Sequence, residues 1–198
     1  MFHWIGFSMI LLVCGWGGSD APNEKATPGD SAKPVVAIGA EGPAEFGADE
    51  TDPVQQYAFL IGDWSVVVTL RQPDGSEFAY EAKWHNSWLA KGQVVLQEWD
   101  GPYAQGLELR HYSATDSHWI GRNLYLPNPG TWYDNVAEWV NGEMVVTTVR
   151  ETPDGQKSIS REIYGDITPN SFSIRTEASS VDGKTWQPGR YSAKMTRI

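Results

Sequence analysis

Cysteine is nearly absent, with a single residue, Cys14, in a chain of 198. A lone thiol excludes a disulfide framework within the chain and any zinc site built on several thiolates. Positive charge is also scarce. Fifteen Lys and Arg stand against 25 Asp and Glu, a formal net charge of -10, whereas a nucleic-acid-binding surface needs a basic patch. Long apolar runs are missing as well. The most sustained, residues 4–13, would span about 15 Å as a helix, half of a bilayer core. No His-Glu-x-x-His, Gly-x-Ser-x-Gly or EF-hand spacing occurs, so the common zinc-hydrolase, serine-hydrolase and calcium-loop signatures are absent. Gly183-Lys184-Thr185 looks like the end of a phosphate loop, but Ala178 stands where that loop needs its first glycine.

What the chain does have is turn chemistry and aromatic mass. It carries 20 Gly, 12 Pro and ten Trp. From Asp63 onward a turn signal arrives about every ten residues, among them Pro73-Asp74-Gly75, Asn141-Gly142, Pro153-Asp154-Gly155 and Asp182-Gly183. Asn-Gly and Asp-Gly supply the positive φ angles that tight hairpins need. The turns delimit ten segments: 63–71, 76–89, 93–99, 103–113, 118–126, 131–140, 143–151, 156–166, 171–180 and 185–198. No helical periodicity intervenes. The prediction is an all-β fold, an antiparallel up-and-down meander of about ten strands closed into a barrel. Pro53–Leu60 is the one helix candidate.

Two segments precede this domain, which is placed at residues 53–198. Residues 1–14 form a signal-like apolar segment whose length suits a secretory signal. Leu11, three positions ahead of Cys14, resembles a bacterial lipobox, which makes Cys14 a candidate lipidation site. Val13 departs from the small residue usual there, and Met1-Phe2-His3 lacks the usual Lys or Arg. Residues 15–52 hold eight acids against Lys25 and Lys33. With little apolar surface to bury, they read as a disordered acidic tether. The expected setting is the cell envelope or periplasm, with membrane attachment only through Cys14; an ordinary secreted protein is the alternative. No nucleic-acid partner is expected.

Alternation divides the strands into faces. Trp64, Val66, Val68 and Leu70 share one face of the first strand, and Tyr191, Ala193, Met195 and Arg197 share one face of the last. In the second strand Phe78, Tyr80, Ala82 and Trp84 oppose Glu77, Glu81 and Lys83. Three middle faces mix polar with apolar residues: Val94, Leu96 and Glu98; Leu107, Leu109 and His111; Ile159, Arg161 and Ile163. Read as inward, these faces imply a partly polar cavity, since polar groups on a buried face need partners or a ligand. Tyr80, Trp84 and Trp88, at i, i+4 and i+8, form the expected ligand-binding wall, with His111 adding a polar contact. The same aromatics also serve as ordinary core packing. Glu98, Glu138, Glu162, Arg122 and Arg161 are the charged candidates on mixed faces. No nucleophile is paired with a base at a readable spacing, so no catalytic residue and no metal site is assigned.

Phe59-Leu60-Ile61-Gly62-Asp63-Trp64 contains the Gly-x-Trp that opens the first strand of lipocalins, and Arg197 matches the basic residue that covers that tryptophan. The chain more closely resembles an uncharacterised bacterial calycin-like domain family. That family opens with Phe-Leu-x-Gly-x-Trp and closes with an Asp-Gly-x-Thr-Trp hairpin, here Asp182-Gly183-Lys184-Thr185-Trp186. The likeness covers residues 53–198. It implies a calycin-like barrel around a small, largely apolar ligand, closed structurally at one end by Trp64 under Arg197, and it implies no reaction. Some calycin-like barrels hold haem through a histidine late in the chain. The histidines here are His3, His85, His111 and His118, so no cofactor is expected. The leading expectation is a cell-envelope protein that binds a small apolar or aromatic molecule. The alternatives are an enzyme in the same cavity, haem-dependent or isomerase-type, and a carbohydrate or surface-interaction module.

Overall fold

The structure is a computed structural model that describes residues 52–126, 132–151, 155, 157–179 and 183–198. The apolar segment, Cys14, the acidic segment up to residue 51 and the turn Pro127-Asn128-Pro129-Gly130 lie outside the described residues. A 3-10 helix, Pro53–Leu60, leads into ten strands: β1 (Gly62–Arg71), β2 (Glu77–Leu89), β3 (Val94–Asp100), β4 (Gln105–Ser113), β5 (His118–Leu126), β6 (Tyr133–Val140), β7 (Glu143–Glu151), β8 (Lys157–Gly165), β9 (Ser171–Ser179) and β10 (Trp186–Arg197). Each strand pairs with its sequence neighbours, and β1 pairs antiparallel with β10, so the sheet closes as a barrel.

Local chemistry explains the punctuation. Asp52 accepts a hydrogen bond from the Val54 N–H at 3.0 Å, and Pro53 follows it at the helix start, a favoured cap for a helix N-terminus. Asn141 and Gly142 both have positive φ, 52° and 82°, as the tight β6–β7 hairpin requires. Gly62, at φ 128°, lies where a Cβ would run into the Arg197 guanidinium.

The inward faces of the first and last strands follow the alternation. Trp64, Val66 and Val68 point inward from β1, and Ala193 and Met195 from β10, all of them buried. The middle strands are reversed from the sequence expectation. Val95, Gln97, Glu108, Arg110, Trp119, Gly121, Asn135 and Ala137 are the buried residues of β3 to β6. Val94, Leu96 and Glu98 of β3, and Leu107, Leu109 and His111 of β4, occupy the opposite, outer parity. Leu109 is 39% exposed. Likewise Tyr164 and Glu162 face inward from β8, while Ile159, Arg161 and Ile163 take the outer parity, where Arg161 pairs with Glu177 and Ile163 is nevertheless buried. The reason is that these strands carry bulk on both faces. A period of two separates the faces, but it names the inner one only when the other face is plainly polar.

The 3-10 helix closes one end. Tyr57 and Leu60 are fully buried and Phe59 nearly so. Their rings interlock with the wall: Tyr57 meets Trp119 edge-on at 4.8 Å, and Phe172 meets Phe59 at 5.3 Å and Trp64 at 4.7 Å. Such contacts add to the large area that each ring buries. The Trp64 indole N–H donates to the Leu60 carbonyl at 2.7 Å. The Arg197 guanidinium lies 4.2 Å from the Trp64 ring centre and donates to the carbonyls of Ile61, Phe59 and Pro169. It ties β1, the helix and the β8–β9 connection to the last strand.

A partly desolvated cation–π contact contributes roughly 1–2 kcal/mol, and lost packing of the Arg stem adds to it. Arg197→Ala is expected to lower the unfolding free energy by about 1–3 kcal/mol at an unchanged urea m-value. Arg197→Lys should recover only part of this, because a single ammonium cannot match a fork that reaches three carbonyls.

Candidate functional site

The two ends of the barrel differ in access. At the helix end the inward side chains of Trp64, Trp119, Met144 and Met195 are almost completely buried. At the other end the inward side chains of Tyr80, Trp99, Asn123, Tyr133, Thr148, Glu162 and Tyr191 are partly exposed, and Tyr125 is 37% exposed. Tyr103, from the β3–β4 connection, stacks edge-on against Tyr80 at 5.0 Å and against Phe78 at 5.8 Å. This end of the barrel is therefore an aromatic rim in contact with solvent.

Below that rim lies a charged, hydrogen-bonded cluster. Arg110 and Glu108 stand at i and i+2 of β4, hence on one face, and both are buried. Arg110 Nη2 pairs with Glu108 Oε2 at 2.9 Å, and Arg110 Nη1 donates to the Tyr57 hydroxyl at 2.5 Å. The Asn135 amide donates to Glu108 Oε1 at 2.6 Å. Gly121 on β5 makes room for this contact. A Cβ there would run into Asn135 Oδ1 and approach Glu108 Oε1 to 2.9 Å. From β8, Glu162 accepts hydrogen bonds from the hydroxyls of Tyr191 and Tyr164.

Burial governs the protonation of this cluster. It works against the charge on Arg110, but Glu108 beside it prevails and holds the guanidinium firmly protonated. It pushes the Glu162 carboxyl above its ordinary range; the tyrosine hydrogen bonds oppose that rise and the Glu108 charge adds to it. The phenols of Tyr57, Tyr164 and Tyr191 are pushed up by burial as well, so at neutral pH they are donors. Several buried polar atoms in the same wall have no protein partner: both amide atoms of Asn86, Nε2 of Gln97, and Oδ1 of Asn123 and of Asn135. Asn86 and Gln97 are cross-strand neighbours, as are Gln97 and Glu108, and Glu108 and Asn123. The wall from β2 to β5 thus carries a continuous polar row.

The expected site residues fall into three places. Tyr80, Trp84 and Trp88 do share the inward face of β2, but not one environment. Tyr80 stands at the rim. Trp84 is packed against Trp99, Tyr164 and Phe172, and Trp88 packs on the same core. His111 is exposed on the outer face, opposite in parity to Glu108 and Arg110, and it lines no interior. Of the charged candidates only Glu162 faces inward. Glu98 and Glu138 are exposed, Arg122 pairs with Asp134 at the surface, and Arg161 pairs with Glu177. The alternation of the sequence missed Glu108, Arg110, Asn135 and Tyr57. The legible signal was a Glu-x-Arg on one face of β4, facing a glycine, Gly121, on the next strand.

Other chemistry finds no support in the described residues. His85 contacts Asp63 at 2.7 Å outside the barrel, and His118 takes the outer parity of β5. None of the three described histidines offers an imidazole to the interior, so a haem held from within by one of them does not fit. No group of three or more metal-ligating side chains comes together among the described residues. An open depression of about 320 Å³, lined by Ser65, Glu81, Lys83, Asp100 and Pro102 among others, lies on the outer wall, away from the buried cluster. It lacks the converging, desolvated groups found in the interior.

No protein-family profile and no curated protein matches the chain. Among solved structures it is similar to the crystal structure of Rv2717c from M. tuberculosis, at 13% sequence identity and a TM-score of 0.38. That match covers 74% of this chain and 98% of the other.

The raised Glu162 carboxyl has a signed consequence. The native state binds this proton more tightly than the unfolded chain does, so stability from this group falls as pH rises from about 4.3 through the raised value. Asp134 and Glu143, held low by Arg122 and Arg175, act in the opposite sense and lose their contribution as pH falls. Glu162→Gln removes only the first term. The melting temperature of the variant relative to wild type is expected to climb with pH from about 4 upward; a difference independent of pH would refute the assignment.

Proposed function

We propose that this protein is a calycin-like binding barrel of the cell envelope, which takes a small apolar or aromatic molecule into its interior through the end opposite the 3-10 helix. The observation that carries the reading is the contrast between the ends: one sealed by the helix, the other lined by inward aromatic rings that keep their solvent exposure. Concave sites lined by aromatics with a few fixed polar groups suit small-molecule binding. The helix end supports the same direction of entry, because its rings pack on one another and leave no path inward. Tyr80 and Tyr125 then become the residues that meet the ligand, with the Glu108–Arg110–Glu162 cluster as floor. Trp84 and Trp88 act beneath them as support. Binding is favoured over hydrolysis because no Ser, Thr or Cys is hydrogen-bonded to a base in the described interior.

Nile red is an uncharged apolar dye that brightens in such a cavity. Its titration against the full chain should saturate at one site. Tyr125→Ala and Tyr80→Ala should each weaken it several-fold, as expected for about 1–2 kcal/mol of lost aromatic burial. Val149, 55% exposed on the outer face of β7, is the control: Val149→Ala should bind as wild type. If the tyrosine variants bind like the control, the ligand does not enter by this rim.

The envelope placement rests on the apolar run and Cys14. Cys14→Ser is expected to abolish acyl labelling and release the protein from membranes. Equal partition of mutant and wild type would remove the anchor from the proposal.

A further inference from the structure

The interior charges suggest what the ligand carries. Glu162 faces inward from β8, is partly exposed to the interior, and is held by two phenol donors, Tyr191 and Tyr164. Among the described residues no Lys or Arg forms an ion pair with it. Arg197 lies at the helix end, and the other inward cations are engaged elsewhere. Arg110 is bound to Glu108 and to Tyr57, and Arg150 lies 4.5 Å from the centre of the Tyr133 ring. Glu108 acts on Glu162 as a like charge, and Arg110, beyond ion-pair distance, as an opposing one. An incoming carboxylate or phosphate would therefore meet two acids whose available cation is already taken. An incoming cation would meet a carboxyl that has no ion-pair partner of its own, set among phenol rings whose negative faces attract positive charge.

We infer that the ligand of this barrel is a protonated amine, an ammonium group on an apolar or aromatic body, with Glu162 as its counter-ion. The inference rests on the binding reading above and adds the charge of the head group. Tyr191 and Tyr164 orient the carboxyl, and the aromatic rim, Tyr125 included, receives the apolar body. The net charge of -10 favours the approach of a cation over that of an anion.

Three matched probes test this by displacement of Nile red from the full chain at pH 7: 1-naphthylmethylamine, 1-naphthylmethanol and 1-naphthoate, which are cationic, neutral and anionic on one ring system. The amine is expected to bind about ten-fold or more tightly than the alcohol, a difference of the size a desolvated charge pair gives, and the naphthoate should bind weakest. In Glu162→Gln, its folding checked by a cooperative unfolding transition, the amine should lose its advantage over the alcohol, while in the outer-face control Val149→Ala the advantage should remain. An alcohol or naphthoate that binds as tightly as the amine to wild type overturns the inference and leaves the binding reading standing. So does an amine advantage that survives Glu162→Gln. If Nile red and all three probes fail to bind, the binding reading itself falls and the inference with it.

Discussion

Closure at one end by the Trp64–Arg197 contact sets the terms for the rest of the molecule. A ten-stranded barrel is wider than the eight-stranded barrels whose own side chains just fill the interior. Wall residues alone do not plug it. The chain fills one end with a short helix, and that helix has to be held, because its eight residues cannot be stable by themselves. Arg197 does this with a guanidinium fork that lies over the Trp64 ring and reaches the carbonyls of Phe59, Ile61 and Pro169. Because Trp64 and Arg197 are also register partners across the β1–β10 seam, the same contact marks where the sheet meets itself. The plug, the seam and the last strand share one group.

The opposite half of the interior is built on other terms. A barrel selected for stability alone would fill it with apolar side chains, since an unpartnered buried polar atom costs about 1–3 kcal/mol. Here Asn86, Gln97, Asn123 and Asn135 leave amide atoms without a protein partner, and a carboxyl sits among phenols without a direct counter-charge. That cost, carried mostly by neighbouring strands from β2 to β6, is the mark of a surface shaped for something other than packing. The aromatic half carries the stability that such a layer gives up.

Much of the fold could be read in advance, and the failures share one cause. Turn residues gave every strand to within about two residues, because positive φ at Asn141-Gly142 and its equivalents is a local demand. Trp64 and Arg197 were legible because the first and last strands have one plainly polar face. Strands β3 to β5 do not. Leu107 and Leu109 look like core beside Glu108 and Arg110, and only partners distant in sequence decide otherwise: Tyr57 from the helix, Asn135 from β6, and the space left by Gly121. A buried ion pair is invisible to a hydropathy pattern, since its two charges read as solvent-facing until they are placed together. The reversal sent His111 outward and left Glu162 as the one inward member of the charged set.

The plug and the polar layer are not independent. Tyr57 seals the closed end with its ring, and its hydroxyl accepts from the same guanidinium that neutralises Glu108. The Arg110 guanidinium also lies 5.2 Å from the Tyr57 ring centre and 6.0 Å from that of Tyr164, whose hydroxyl in turn donates to Glu162. A chain of contacts therefore runs from the helix through Arg110 to both interior carboxyls. Arg110 is buried deeply enough that its charge persists only with these partners in place. Seating the helix is thus what completes the shell around Arg110, and the shell in turn fixes how much positive field reaches Glu162. The element that makes the barrel a closed vessel is also the element that sets the electrostatics of its interior.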